Sequence, residues 1–201
     1  MVDNGYKHAS RLQITAELLP EPIRTSDPNK IEVLEMFSFS CIHCYQFEPK
    51  IQEWKKTLAD DVNFLQSHVA WNEKAQIHAR IFYTIQFLDV DAKTVRALNQ
   101  SIFNAYNVER KKLTDTDEIA DVFMKQGVSK KQFLEAFNSF ATTNAMRMAD
   151  ARSRSYKVQG TPEMAVNGKY RVSGSLAGSN KEMLKVVDYL IELERKAGAK
   201  K

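Results

Sequence analysis

One run of branched and aromatic residues leads directly into the two cysteines of the chain. It reads Ile31-Glu32-Val33-Leu34-Glu35-Met36-Phe37-Ser38-Phe39-Ser40-Cys41-Ile42-His43-Cys44. Its first nine residues, 31–39, are typical of a largely buried β-strand. After the cysteines, apolar residues recur at helical spacing and predict a helix from Tyr45 to Leu58. The cysteine pair therefore falls where a strand ends and a helix begins.

The residues that follow predict a second strand and then a long helical region. Residues 62–69 have strand composition, and a strand–helix–strand unit implies two parallel strands joined by a crossover helix. From Trp71 to Met148 the spacing of apolar residues is helical, with capping-box patterns that begin at Asp115 and Ser129. A further long helix is predicted over residues 141–158.

The last quarter of the chain returns to strand patterns. Gly160-Thr161-Pro162 ends the helical region, and two short alternating runs, 163–166 and 169–172, flank Asn167-Gly168. That dipeptide predicts a hairpin with a type I′ turn. Ser179 begins the last helix, whose basic tail from Arg195 is expected to fray. With a possible short strand at 6–12, the pattern predicts an α/β protein with a mixed sheet.

Composition excludes several classes of protein. The chain has 201 residues, 43% hydrophobic and 27% charged, with a net charge of +4. These values exclude disordered and collagen-like chains, and no apolar run approaches the roughly 20 residues of a membrane span. The basic residues are scattered, which does not favour nucleic-acid binding. The first 22 residues have no apolar core, so we expect no signal peptide within this chain.

Cys41 and Cys44 are the natural candidates for chemistry. Three residues apart on a helix, two thiols share one face and can form a disulfide. At the helix start, unpaired N–H groups and the positive end of the helix dipole favour a thiolate at Cys41, and a protonated His43 would add to this. Each unit by which the pKa of Cys41 falls below about 8.5 favours the thiolate by about 1.4 kcal/mol. Because only the reduced protein contains that thiolate, its stabilisation makes the disulfide form an oxidant.

Three other interpretations of the pair stay open at this point. The cysteines could form a short-range structural disulfide, which would not need a strand–helix junction. They could be half of a zinc site, although His8, His68 and His78 lack the usual zinc-ligand spacing. They could also be two inert buried thiols.

Two segments resemble the DsbA family of bacterial periplasmic thiol:disulfide oxidoreductases. The segment 35–48 is similar to the family's active-site stretch, and the segment 158–170 is similar to its cis-proline segment and hairpin. The resemblance implies a thioredoxin fold interrupted by an all-helical domain. We expect the thioredoxin-like domain over residues 1–70 and 149–201, and the helical insertion over residues 71–148.

The resemblance also implies roles for individual residues. Cys41 would be the nucleophile, Cys44 its buried partner, and His43 the residue that stabilises the Cys41 thiolate. Glu35 would be the acid beneath the dithiol that assists proton movement, with Gln66 in place of the lysine that often accompanies it.

The client-binding residues implied by the resemblance are Ile42, Thr161 and Pro162. Pro162 would be cis, and would leave the adjacent backbone able to align a client strand. The chain departs from the family's usual pattern at two of these positions. Ile42 stands where the family usually has proline, and Thr161 stands where valine is usual.

The implied function is oxidation of exported proteins through a mixed disulfide at Cys41. The expected partners are reduced client proteins or peptides and a DsbB-like membrane reoxidant, and no metal or organic cofactor is implied. We expect a periplasmic monomer. Two alternatives remain: an isomerase or reductase, which Thr161 suggests, and a thioredoxin-like chaperone or binding module in which the dithiol is incidental.

Overall fold

The computed structural model of the protein describes residues 16–198 and contains one mixed sheet and a series of helices. The strands, in the sheet order β1-β5-β4-β2-β3, are β1 (Glu17–Leu18), β2 (Ile31–Phe37), β3 (Val62–His68), β4 (Glu163–Val166) and β5 (Tyr170–Ser173). The helices are α1 (Ile42–Lys55), α2 (Glu73–Phe87), α3 (Ala92–Asn107), α4 (Thr116–Met124), α5 (Lys130–Phe137), α6 (Phe140–Ser155), α7 (Gly174–Ala177) and α8 (Asn180–Gly198). The possible strand at 6–12 lies outside the described residues.

Strand directions confirm the predicted mixed sheet. The Ile31 N–H donates to the Asp61 carbonyl, and the Val69 N–H donates to the Phe37 carbonyl, so β2 and β3 run in the same direction. The pairs β2–β4, β4–β5 and β1–β5 are antiparallel. The helices α2 to α6 lie in the chain between β3 and β4, which confirms the predicted α/β class with an inserted helical region.

The predicted hairpin joins β4 to β5. Asn167 and Gly168 have φ values of 51° and 66°, as the two central residues of a type I′ turn require, and the Lys169 N–H donates to the Val166 carbonyl. A Cβ atom on Gly168 would lie 1.9 Å from the Ile23 carbonyl oxygen. Glycine is therefore needed here both for its backbone conformation and for the close approach of another segment.

Several helix starts agree with the predicted capping residues. Asp115 accepts hydrogen bonds from the backbone N–H groups of Asp117 and Glu118, and Ser129 and Gln132 form a complete capping box. Ser179 accepts from the Glu182 N–H at the start of α8. Within residues 16–198, no helix is both long enough and apolar enough to cross a membrane.

Several predicted boundaries were wrong. β2 ends at Phe37 rather than Phe39, because the next residues turn away from the sheet. α1 covers Ile42–Lys55 rather than 45–58, and α6 ends at Ser155 rather than 158. The tail expected to fray continues as helix through Gly198, and Arg195 makes a two-pronged ion pair with Asp61.

Two compact units make up the described chain, and each has its own core. The first comprises residues 16–36, Gln46–Ser67 and 155–198, and the second comprises Phe37–Tyr45 and His68–Arg154. Branched and sulfur-containing side chains dominate the first core, among them Val33, Ile51, Met164 and Leu190. Aromatic side chains dominate the second, where Phe37, Phe39, Phe82 and Phe103 pack mainly edge to face. The domain boundaries predicted from the sequence stay a prediction.

Candidate active site

Cys41 and Cys44 lie in the second unit, at and just after the start of α1. The Cys41 carbonyl accepts the Tyr45 N–H at 3.0 Å, which makes Cys41 the residue that caps the helix. Cys41 is partly buried at the edge of the aromatic core, whereas Cys44 is only 1% exposed and belongs to that core. Cys41 is therefore the more accessible cysteine of the pair, and Cys44 is sealed.

The start of α1 suits an anionic sulfur. The first N–H groups of a helix have no partner within the helix, and together with the helix dipole they attract negative charge. The first turn of α1 contains no acidic side chain that would oppose this. Ile42 and His43 are both exposed, Ile42 to 45%, so both are placed where a bound client could touch them.

A tight turn joins β2 to Cys41. The Cys41 N–H donates to the Ser38 carbonyl at 3.1 Å, and the Ser40 N–H donates to Ser38 Oγ at 3.3 Å. The hydroxyls of Ser38 and Ser40 are also hydrogen bonded to each other. The backbone thus reverses within three residues and delivers Cys41 to the start of the helix.

Two buried side chains hold the backbone of Phe39 within this turn. His68 Nε2 accepts the Phe39 N–H at 2.9 Å, and Asn107 Nδ2 donates to the Phe39 carbonyl at 2.8 Å. His68 Nδ1 lies 2.7 Å from the Val69 carbonyl, so the ring carries its proton on Nδ1 and is neutral. Burial lowers the pKa of His68 to about 3, with a smaller contribution from nearby His78.

Neither of these two side chains was predicted to support the dithiol. His68 was considered only as a zinc ligand, and Asn107 was not singled out. A histidine within the run Ser67-His68-Val69, at the buried end of a strand pattern, is the only signal in the sequence that could have suggested His68.

Glu35 lies in the first unit, in β2, and is 1% exposed. Gln66 Nε2 donates to Glu35 Oε2 at 2.8 Å and lies 3.4 Å from Glu48 Oε2. The expected neighbour of Glu35, Gln66, is thus in contact with it. Glu48, which the sequence analysis missed as a site residue, is a second acid at this amide, and burial raises its pKa.

The peptide bond between Thr161 and Pro162 is cis, as predicted. It belongs to the first unit, where Pro162 is buried and Thr161 is partly buried. The next residue, Glu163, reaches back with Oε1 to accept the N–H groups of Gln159 at 3.3 Å and Gly160 at 3.0 Å. The backbone that precedes Pro162 is therefore held in place by the side chain of Glu163, the residue after the proline.

Arg171 on β5 supports the same segment. Its guanidinium donates to the Lys157 carbonyl and to the carboxylates of Glu17 and Glu163. The Glu163 and Arg171 side chains are 6% and 7% exposed, and desolvation raises the pKa of Glu163 although Arg171 opposes that rise. Neither residue was predicted, because a charged pair on neighbouring strands has no distinctive sequence spacing.

A cavity of about 340 Å³ adjoins this segment within the first unit. Its lining is largely polar and includes Gln159, Gly160, Glu163, Arg171, Ser173 and Leu176. Next to the cavity lies the short helix α7, capped by Ser173, whose hydroxyl accepts the Leu176 N–H. The cavity is open to solvent.

The histidines weighed as zinc ligands are occupied differently where the structure describes them. His68 bonds the backbone of Phe39 and Val69, and His78 Nε2 lies 3.1 Å from the Lys112 carbonyl. Among residues 16–198 there is no group of three or more His, Cys, Asp or Glu side chains that could hold a metal ion. His8 lies outside the described residues.

One accessible thiol that caps a helix and a second thiol sealed one turn later are suited to disulfide exchange, because the first can attack and leave while the second resolves. With the mixed sheet, the helical insertion and the cis-proline, they define a class of protein. It is the class of thioredoxin-like thiol:disulfide oxidoreductases.

Comparisons with known proteins identify the family. Residues 62–182 match the family described as the DSBA-like thioredoxin domain. The chain is 40% identical to the thiol:disulfide interchange protein DsbA of Pseudomonas aeruginosa over 182 residues. The matched region covers 90% of this chain and 84% of that protein. It is 38% identical over 179 residues to DsbA of Azotobacter vinelandii, and this match covers 89% of this chain and 82% of that protein. A crystal structure of Pseudomonas aeruginosa DsbA superimposes with a TM-score of 0.85 and 40% identity, covering 93% of this chain and 95% of that one.

The chain belongs to the DsbA family, and it is a thiol:disulfide oxidoreductase. This confirms the predicted family, fold class and enzyme class.

Proposed function

We propose that the protein is an oxidase that donates a Cys41–Cys44 disulfide to reduced client proteins. The observation that supports this most directly is the contrast between the two sulfurs. Cys41 is accessible at a helix start without acidic neighbours in its first turn, whereas Cys44 is sealed in the aromatic core. A client can therefore reach Cys41, and the thiolate it leaves there is stabilised by the helix.

The reaction proceeds in two exchanges. A client thiolate attacks Sγ of Cys41, a mixed disulfide forms, and the Cys41–Cys44 bond breaks as Cys44 leaves with the electron pair and takes up a proton. A second client thiolate then attacks the client sulfur of the mixed disulfide and displaces Cys41 as a thiolate. The client loses two electrons and gains a disulfide, and the enzyme gains the two electrons as a dithiol.

The surrounding residues have proposed roles of their own. His43 stabilises the Cys41 thiolate, and Ile42, Thr161 and Pro162 contact the client. Glu35, buried in β2, takes part in proton transfer during reduction of the disulfide. The Glu35→Gln change tests that role, because it should slow reduction of the disulfide by a client peptide while leaving the thiolate titration of Cys41 unchanged.

The partners and the location are proposed from family membership. They are reduced client proteins or peptides, and a DsbB-like membrane protein that reoxidises Cys41 and Cys44. The proposed compartment is the periplasm, where disulfides form and persist. The proposed oligomeric state is a monomer, and the proposed domains are residues 1–70 with 149–201 and residues 71–148.

The decisive experiment is the equilibrium of the Cys41–Cys44 pair with glutathione. An oxidase should be reduced by glutathione at low concentrations, and its reduced form should resist denaturant better than its disulfide form. Cys44→Ser should trap a mixed disulfide with a client peptide, and Cys41→Ser should not. A disulfide form clearly more stable than the reduced form would contradict the oxidase assignment.

Thr161 supports a second candidate, an isomerase or reductase. Recovery of activity from scrambled ribonuclease, compared with oxidation of reduced ribonuclease, separates the two functions. An oxidase should be fast only with the reduced substrate. An ordinary pKa of Cys41, near the value of about 8.5 for a free thiol, would instead favour a binding module without redox catalysis.

A further inference from the structure

The Ser38–Phe39 peptide group connects a buried histidine to the attacking cysteine. Its N–H donates to His68 Nε2 at 2.9 Å, and its carbonyl oxygen accepts the Cys41 N–H at 3.1 Å. The imidazole of His68 therefore fixes the orientation of this peptide plane. The same plane in turn positions the backbone of Cys41.

The next peptide group is held in the same way. The Phe39 carbonyl accepts a hydrogen bond from Asn107 Nδ2 at 2.8 Å, and the same amide nitrogen donates to the Phe103 carbonyl at 2.9 Å. The backbone N–H and the backbone carbonyl of Phe39 are thus both hydrogen bonded to side chains, although β2 has already ended at Phe37. Buried backbone groups outside a sheet need such partners, and here two side chains supply them.

The two side chains are well placed to hold a fixed geometry. His68 is 0% exposed and Asn107 is 8% exposed, so neither can exchange these bonds for water. The ring of Phe39 packs edge to face on Phe103 and lies 5.3 Å from the ring of His68. His68 faces one other titratable ring, that of His78, at 6.3 Å, and it stays neutral at ordinary pH because burial lowers its pKa.

We propose that His68 and Asn107 are positioning residues for thiol exchange at Cys41. They fix the two peptide planes on either side of Phe39, so that Cys41 caps α1, at the end of the helix whose dipole favours an anionic sulfur. The inference rests on the proposed function, because it explains how the fold keeps the Cys41 thiolate favourable. It assigns a role to two residues that do not belong to the cysteine motif and lie 27 and 66 positions beyond Cys41 in the chain.

The test uses leucine variants that fill the space of the two side chains without their polar atoms. His68→Leu and Asn107→Leu should each raise the pKa of Cys41, measured by thiolate absorbance in the folded protein. They should also shift the glutathione equilibrium toward the disulfide form by at least about threefold, which corresponds to half a pKa unit. His68→Gln should retain more of the wild-type equilibrium than His68→Leu, because the amide oxygen can still accept the Phe39 N–H.

A matched control separates positioning from general destabilisation. Thr142 is also 0% exposed in the second unit, and its hydroxyl donates to a backbone carbonyl, that of Ala136, far along the chain from Cys41. Thr142→Val should lower stability and leave both the thiolate titration and the glutathione equilibrium unchanged. If the folded leucine variants titrate and equilibrate like the wild type, the positioning role is wrong.

A measurement on the wild-type protein covers the case in which the leucine variants do not fold. Nitrogen-15 NMR should show His68 protonated on Nδ1 and unprotonated on Nε2 from pH 5 to 8, with a scalar coupling from Nε2 to the Phe39 amide nitrogen. A proton on Nε2, or a Phe39 amide that exchanges with water like an exposed one, would overturn the inference. Failure of the proposed function is distinguishable, because a wild-type dithiol that does not exchange with glutathione would reject it whatever the NMR shows.

Discussion

The pH dependence of stability offers a quantitative test of the buried imidazole. His68 is fully buried, accepts the Phe39 N–H and has its pKa lowered from 6.5 to about 3. Below pH 6.5 the imidazole therefore binds a proton in the unfolded chain, whereas in the folded protein it stays unprotonated down to about pH 3. Because the unfolded state binds more protons, stability falls as the pH falls from 6.5 toward 3, and the contribution is fully present above pH 6.5.

The size of the effect follows from the two pKa values. Between pH 7.5 and pH 4.5, protonation of this one residue in the unfolded chain should cost the folded protein about 3 kcal/mol. In His68→Gln this loss is absent, since glutamine does not titrate and its amide oxygen can still accept the Phe39 N–H. The unfolding free energy of the wild type minus that of His68→Gln should therefore fall by about 3 kcal/mol as the pH is lowered from 7.5 to 4.5.

The assay is urea denaturation of both proteins at matched pH values, with the cysteines in the disulfide form so that no thiol titrates. Other titrating groups, including His78 and Glu48, are present in both proteins and cancel in the difference. Thr142→Val serves as the control, and its difference from wild type should stay constant with pH. Parallel pH profiles for wild type and His68→Gln would refute the reasoning that His68 is neutral and buried in the folded state.

Three further predictions follow from the site. A thiolate titration should place the pKa of Cys41 below the value of about 8.5 for a free thiol, and a normal value would remove the basis for an oxidant. Arg171→Met should cost about 3–5 kcal/mol of unfolding free energy, because it leaves the Glu163 carboxylate buried without its cation. The double change Arg171→Met with Glu163→Gln should recover part of this loss. Equal unfolding free energies for the single and double variants would contradict this prediction. Gly168→Ala should cost at least about 1 kcal/mol, since it combines a positive φ with a clash against Ile23, and unchanged thermal stability would contradict the close approach seen at that turn.

Much of the fold could be predicted from local patterns. The strand predicted over 31–39 stands out by its mainly apolar run of branched and aromatic residues, the hairpin by Asn167-Gly168, and the helix starts by capping residues such as Ser129. These features depend on neighbours within a few residues, and such preferences are readable along the chain. The end of β2 was misplaced because the backbone of Phe39 is bonded by His68 and Asn107, which lie far along the chain.

The candidate site divides along the same line. Cys41, Cys44 and Pro162 were predicted because their chemistry is written in adjacent residues and in the resemblance of two segments to a known family. Glu163, Arg171 and Asn107 were not, because each acts on backbone that it meets only after folding. A charged pair on neighbouring strands and an amide on a distant helix leave no spacing that distinguishes them from ordinary surface polarity.

The amino-acid sequence by itself determined where the chemistry lies. Two thiols three residues apart at a strand–helix junction, together with two segments that resemble a known family, predicted disulfide exchange over a structural disulfide, a zinc site or inert thiols. The tertiary structure alone decided which buried groups hold the turn before Cys41. The physical reason is that burial and backbone hydrogen bonding are properties of the whole packed unit. A histidine or an asparagine takes up such a role only when folding removes water from its partners.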